Sequence, residues 1–181
     1  MHQIRTAVAA AGMVVWCSTA VFAQATVVLP DTSQTSTVSV TVSEQARVAV
    51  PSGISFNVTN IGASTAAAAA TITIDQIVLA SATKQLRLSL QATSSSFTAP
   101  VPGDTTWAAS DVSWSAAAWT NAAGSGGTLS NAAFNIVATC DAGAASCSTN
   151  ALIFSLASKP AVQRSGTHTL IVTWKVESIG S

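Results

Sequence analysis

Two cysteines are the residues of this sequence whose type and spacing most clearly suggest chemistry. Cys140 and Cys147 lie in the stretch TCDAGAASC, and the loop between them contains Gly143 and several alanines. In an oxidising compartment such a loop can turn back and close a disulfide. A zinc site would need about four ligands, and a redox pair is more usually C-x-x-C. The spacing therefore favours a structural disulfide over free thiols, metal binding or redox chemistry.

His168 is the one histidine outside the first few residues, and it lies at the start of a predicted strand. No G-x-S-x-G motif marks a nucleophile for it to activate. The five Asp and two Glu are scattered singly, and no D-x-D-x-D pattern suggests a calcium site. The sequence therefore predicts no catalytic residue, no metal site and no cofactor, and we expect a protein that is not an enzyme.

Two tryptophans in loop-like sequence are the best sign of a ligand-binding surface. Aromatic rings can stack on sugar rings, and Trp107 and Trp119 have Asp104 and Asp111 close by in sequence. These four residues are therefore candidates for binding a glycan. Large aromatic side chains also fill the cores of β-proteins, and the sequence leaves that alternative open for both tryptophans.

The N-terminal stretch MHQIRTAVAAAGMVVWCSTAVFAQA has the three regions of a secretory signal peptide. Arg5 supplies the basic region, Ala7 to Ala20 is apolar, and small residues allow cleavage after Ala23 or after Ala25. The apolar run is short for a membrane span. We therefore predict a signal peptide over residues 1–25 and a secreted product, in the periplasm, on the outer surface or outside the cell.

The composition of the remaining chain suits an exported protein. Removing the signal leaves about 157 of the 181 residues, enough for one domain with a core. We expect a short extension over residues 26–35 and one domain over residues 36–181. Charged residues make up 8% of the chain, against roughly 25% in ordinary globular proteins. No basic patch is present to bind nucleic acid, and no later apolar run is long enough to cross a membrane.

Apolar residues alternate with polar ones through most of this chain, as strands with one buried face require. Turn-forming stretches rich in Gly, Pro, Asn and Asp separate the alternating segments. This pattern predicts an all-β fold, a single antiparallel β-sandwich of seven to nine strands. The segments and their inward residues are: Val38, Val40 and Val42, continuing to Val48 and Val50; Ile54, Phe56 and Val58; Ile72 and Ile74; Leu86, Leu88 and Leu90; Phe134, Ile136, Ala138 and Cys140; Leu152, Phe154 and Leu156; Leu170, Val172, Trp174 and Val176.

Two segments, VSVTVSEQARVAVPSGISFNVTN and FSLASKPAVQRSGTHTLIVTWKVES, carry a resemblance to a group of bacterial secreted proteins. They resemble the spore coat protein U and chaperone–usher pilin type of β-sandwich. The resemblance implies an immunoglobulin-like, Greek-key fold, and in pilin-like polymers an N-terminal extension completes the next subunit by strand addition. Here the alternation from Val38 runs unbroken toward Val48, which predicts that this strand pairs within its own domain.

The sequence thus leaves three functions open. The first is a non-catalytic structural or adhesive protein at a bacterial surface, with other surface proteins or glycans as partners. The second is a carbohydrate-binding module that uses exposed tryptophans. The third is a pilin-like subunit that assembles by strand addition.

Overall fold

The computed structural model describes residues 36–181, and this part of the chain is all-β. Eleven strands form three antiparallel sheets, with a single turn of 3-10 helix, η1 (Ala109–Asp111), between them. The strands are β1 (Gln45–Ala49), β2 (Thr65–Ala66), β3 (Ala70–Val78), β4 (Gln85–Ala92), β5 (Val112–Trp114), β6 (Ala122–Gly124), β7 (Gly127–Thr128), β8 (Asn135–Cys140), β9 (Cys147–Leu152), β10 (Phe154–Leu156) and β11 (Val172–Ile179). The all-β prediction is confirmed, and short strands such as β2 and β7 raise the strand number above the predicted seven to nine.

All of these strands belong to one compact unit, residues 41–181, whereas residues 36–40 are grouped with the N-terminal part of the chain. The predicted signal peptide over residues 1–25 and the extension over residues 26–35 lie outside the described residues. The three sheets have the strand orders β1-β3-β9, β2-β10-β5-β7 and β11-β4-β8-β6. Strand β11 therefore lies at an edge of its sheet, where only one of its two sides is paired.

The longest pairing in the structure joins β4 to β11. All eight residues of β11 have antiparallel partners in β4, from Val172 opposite Ala92 to Ile179 opposite Gln85. On β4 the predicted alternation is confirmed, because Leu86, Leu88 and Leu90 are all buried. Leucines at every second position cover one face of a strand, so this face of β4 forms part of the core.

Strand β8 departs from the predicted alternation. Leu88 pairs with Ala138 but the next residue, Ser89, pairs with Ile136, so Val137 is an extra residue in the strand. Such a β-bulge places two consecutive side chains on the same side and shifts the alternation beyond it. Val137 and Ala138 are both buried. The prediction that Phe134 and Ile136 point into the core is therefore wrong, and they are 36% and 38% exposed.

The core is centred on aromatic and aliphatic residues from all three sheets. Phe154 on β10 is 1% exposed, and its ring contacts Trp114 on β5 and Trp174 on β11 at centroid distances of 5.9 and 6.4 Å. Trp114 is 4% exposed and is part of this core. The Cys140–Cys147 disulfide, which the spacing predicts, joins the end of β8 to the start of β9.

The chain before β1 differs from the sequence-based expectation. The alternating valines were expected to pair within their own domain, but the first strand begins only at Gln45. Val38, Val40 and Val42 are 89%, 84% and 68% exposed. A segment with the pattern of a half-buried strand is thus present without a strand partner among the described residues, and that expectation is wrong.

Candidate functional site

An open groove of about 1150 Å³ lies in the described part of the chain. Two stretches of chain line it, Pro51–Val58, here called the first wall, and the run from Gln163 into β11, called the second wall. Core residues form the floor, and most of them are apolar. The floor consists of Leu90, Phe97, Trp107, Val112, Leu129, Phe154 and Leu156.

The first wall has the side-chain pattern of a strand without the pairing of one. Ile54, Phe56 and Val58 are half-buried and pack against the core, while Ser55 and Asn57 are exposed. The predicted alternation is confirmed here. However, no backbone hydrogen bond joins Pro51–Val58 to any other described residue. Backbone N–H and C=O groups are normally paired in folded chains, so this wall has a row of donors and acceptors with no backbone partner within residues 36–181.

The second wall includes the start of edge strand β11. Leu170, Val172 and Trp174 line the groove and are half-buried, whereas Ile171, which also lines it, is 70% exposed. The predicted parity of this strand is therefore confirmed. These residues pack against the core as predicted, and they stay half-buried because nothing among the described residues covers them on the groove side.

The two walls come together at one end of the groove. The Lys159 amide donates to the carbonyl of Ile61, and the Val162 amide donates to the carbonyl of Lys159. Ile61 and Val162 both line the groove at this point. Since Pro51–Val58 leads into Ile61 and Val162 leads into the second wall, these hydrogen bonds link the two walls.

His168 lies in the second wall, at a more polar part of the groove. Its Nδ1 atom lies 2.7 Å from the Thr106 hydroxyl, and its ring meets that of Trp107 edge-on at 5.2 Å. Arg164, four residues before His168, forms an ion pair with Asp104, and its Nε atom lies 3.3 Å from the Asp104 Oδ2 atom. The histidine ring is thus positioned by a hydroxyl and an aromatic ring, and no carboxylate within the described part of the chain hydrogen-bonds to it.

The structure separates the four candidate glycan-binding residues. Trp107 is 5% exposed and donates from its indole nitrogen to the Ala157 carbonyl at 2.9 Å, so its ring is part of the groove floor. Trp119 is half-buried, packs beside Gly124 and does not line the groove. Sugar stacking needs an open ring face, and neither tryptophan presents one on a common surface with the other. Asp104 pairs with Arg164, as described above.

Asp111, the fourth candidate, has a structural environment. Its carboxylate accepts hydrogen bonds from the Lys159 ammonium at 2.7 Å and from the Ala108 amide at 2.8 Å, at the turn of helix η1. Burial of the carboxylate opposes its charge, but these two donors and the positive charge of Lys159 together outweigh it and hold the pKa of Asp111 below its ordinary value of 3.8. This carboxylate therefore fixes η1 to the chain beyond β10.

Within residues 36–181, no group of three or more His, Cys, Asp or Glu side chains could hold a metal ion. No helix of the same part of the chain is long and apolar enough to cross a membrane. The groove itself was not foreseen from the sequence. The one available signal was the alternating stretch ISFNV between Pro51 and Gly62, which predicts a strand but not whether another strand pairs with it.

No protein-family description, curated protein or solved structure matches the chain. The proposed function therefore depends on the groove and its two walls.

Proposed function

We propose that this protein is a secreted, non-catalytic structural subunit with a β-sandwich fold, and that its groove accepts an extended strand from a partner. The observation that carries the proposal is the groove lined by Pro51–Val58, whose backbone groups have no backbone partner among the described residues, and by the start of the edge strand β11. A strand that enters it would hydrogen-bond to both walls and bury its inward side chains on the floor. This is recognition by β-strand addition, in which backbone bonds give affinity and alternate side chains give specificity.

The chemistry of the groove supports a strand over other ligands. The floor of the groove is apolar, and the groove runs along two stretches of chain. A small-molecule site, by contrast, is usually a compact pocket with a few convergent polar groups. Exposed edges of this kind are normally shielded, because unpaired strands promote association. A groove that remains open in the single chain is consistent with a partner that completes it.

A secreted location for the protein is supported by the sequence of residues 1–25 and by the Cys140–Cys147 disulfide, since disulfides persist in oxidising compartments. A structural role is supported by the low charge and by the environment of Asp111, which is accounted for by its ion pair with Lys159 and its hydrogen bond from Ala108. Carbohydrate binding through Trp107 and Trp119 has less support, because both rings are at least half-buried.

Trp174 provides a direct test, because it lines the groove and is partly exposed. A synthetic octapeptide of alternating Val and Thr should bind saturably and shift the tryptophan emission to the blue as the ring loses contact with water. The variant Trp174→Phe should bind the same peptide without that shift.

A matched pair of variants separates groove binding from nonspecific association. Val172→Asp places a charge on the groove side of β11 and should abolish peptide binding, whereas Thr173→Asp places the same charge one residue further on the outer side and should not. If both variants bind like the original protein, or if no alternating peptide binds at all, the proposed function is wrong.

A further inference from the structure

We infer that a second concave site, beside the groove, binds one ring of a neutral sugar. The site is a pocket of about 360 Å³ where the chain after β4, helix η1, strand β7 and the start of β8 come together. The inference goes beyond the proposed function and does not depend on a strand in the groove. Six of the residues that line the pocket are polar and uncharged: Ser95, Ser110, Thr128, Ser130, Asn131 and Asn135.

The polar side chains of the pocket have hydrogen-bonding capacity left for a ligand. Among the described residues, the Ser130 hydroxyl accepts from the Ala132 amide, and the Asn135 side-chain nitrogen donates to the Thr128 carbonyl. The side-chain oxygen of Asn135 is not used by that bond. Hydroxyl and carboxamide groups both donate and accept hydrogen bonds, and the hydroxyl groups of a sugar do the same. The lining therefore matches a ligand with several neighbouring hydroxyl groups.

The pocket also has an apolar part and a small size. Ala109 and Leu129 line it and are each 2% exposed, and Leu129 lines the groove as well. The C–H groups of a sugar ring can pack against such side chains while its hydroxyl groups face the polar ones. Small-molecule sites usually measure about 300–1,000 Å³. A pocket of about 360 Å³ is near the lower limit, which favours one ring over a long chain.

Backbone hydrogen bonds hold the segments around the pocket in place. The Ala109 amide donates to the Ser95 carbonyl, and the Leu129 amide donates to the Val112 carbonyl, both at 2.8 Å. Residues that are distant in sequence are thus fixed beside one another before a ligand arrives. A site that is already formed loses less conformational entropy on binding, so weak hydrogen bonds to a small ligand suffice.

The charges of the domain favour a neutral ligand. None of the residues that line the pocket is charged. Every Lys and Arg within residues 36–181 lies in an ion pair with an Asp or a Glu. A carboxylate, sulfate or phosphate group in the pocket would lose hydration without gaining a positive partner, which is costly. The geometry therefore points to an uncharged sugar.

Nuclear magnetic resonance of the isotope-labelled exported protein tests the assignment. The probes are glucose, galactose, mannose and N-acetylglucosamine. At least one of them should bind saturably, with a dissociation constant on the order of 1 mM. The amide shifts should be concentrated at Ser95, Ser110 and Thr128–Asn131. The methyl glycosides of the same sugars represent the end of a glycan: equal binding identifies a glycan end, loss of binding identifies a free sugar, and either result supports the assignment.

Two variants and a matched control locate the bound sugar. Thr128→Val keeps the shape of the side chain and removes its hydroxyl group, and Asn131→Ala removes a carboxamide. Both residues are exposed, so both variants should keep the melting temperature of the unmodified protein. Each should weaken sugar binding about fivefold, as the loss of one hydrogen bond predicts. Asn150→Ala removes an exposed carboxamide outside the pocket and should leave binding unchanged.

Three results would overturn the inference. The first is that none of the four sugars or their methyl glycosides shifts the amides of Thr128–Asn131. The second is that Thr128→Val and Asn131→Ala bind the sugar as tightly as the unmodified protein. The third is that the negatively charged glucuronate binds as tightly as the neutral sugars. If the Val/Thr octapeptide still binds the groove in any of these cases, the inference fails and the proposed function stands.

Discussion

The substitution Phe154→Ala tests the centre of the described core. Phe154 is 1% exposed and is in ring contact with Trp114 and Trp174. Truncating a buried phenylalanine to alanine typically costs about 3–5 kcal/mol, from lost transfer free energy and from the cavity that remains. A domain of this size has about 5–15 kcal/mol of stability in total. Phe154→Ala should therefore remove a large fraction of the free energy of unfolding.

The assay is chemical and thermal unfolding of the exported protein, followed by circular dichroism. At about 3–4 °C per kcal/mol for a domain of this size, the melting temperature should fall by about 10–20 °C. The matched control is Ile153→Ala, because Ile153 is the neighbouring residue, points to the opposite side and is 41% exposed. That variant should change the melting temperature by only a few degrees. Equal losses for the two variants would refute the assignment of the inward face of β10.

Trp174 extends the same experiment to the groove. Full burial of Trp174 would give Trp174→Ala a cost in the range of Phe154→Ala. Because the ring is half-buried in the isolated chain, we expect about half that cost, about 1.5–2.5 kcal/mol. The cost should rise once a strand fills the groove and covers the ring. A full-sized loss in the isolated monomer would show that the groove is closed.

Three further predictions concern stability. Reducing the Cys140–Cys147 disulfide should lower the free energy of unfolding by about 2–3 kcal/mol, as expected for a loop of about eight residues, and denaturant titrations with and without reductant would measure it; no change would contradict it. Because the pKa of Asp111 is below its ordinary value of 3.8, its charge stabilises the fold above about pH 3.8, and this contribution is lost as the pH falls through the lowered pKa. The variant Asp111→Asn should therefore have a lower melting temperature than the unmodified protein at pH 6. Its melting temperature should also depend less on pH below pH 4, and identical pH profiles for the two proteins would contradict this. Gly124→Ala should cost about 1–3 kcal/mol because a Cβ there would clash with the Ala117 carbonyl oxygen, whereas Gly53→Ala, with nothing within 4 Å, should be close to neutral; similar melting points would contradict the packing described around β6.

The sequence predicts the local part of this fold well. Alternation identifies the inward faces of β4 and β10, because a strand with one buried face must repeat every second residue. Glycine and alanines between Cys140 and Cys147 make the disulfide predictable for a similar reason, since the loop is short and its closure depends on local geometry. These features depend on neighbours in sequence.

The features that depend on distant parts of the chain are not predictable in this way. The bulge at Val137 inserts one residue into the pairing of β8 with β4, and only the partner strand shows where the alternation shifts. The groove is a further case, because ISFNV has the pattern of a paired strand whether or not a partner exists. The exposed valine face of Thr37–Ser43 is similar, since alternation indicates that a face should be buried but not which molecule buries it.

Amide hydrogen exchange along the first wall tests the central claim most directly. In the isolated chain the amides of Ser52–Val58 should exchange rapidly, because no described backbone group accepts their hydrogen bonds, while those of β4 should be protected. After the groove is filled, by assembly or by the Val/Thr octapeptide, the Ser52–Val58 amides should become protected and those of β4 should change little. Amides of Ser52–Val58 that are already protected in the monomer, or that stay unprotected in the filled state, would contradict a strand-accepting groove.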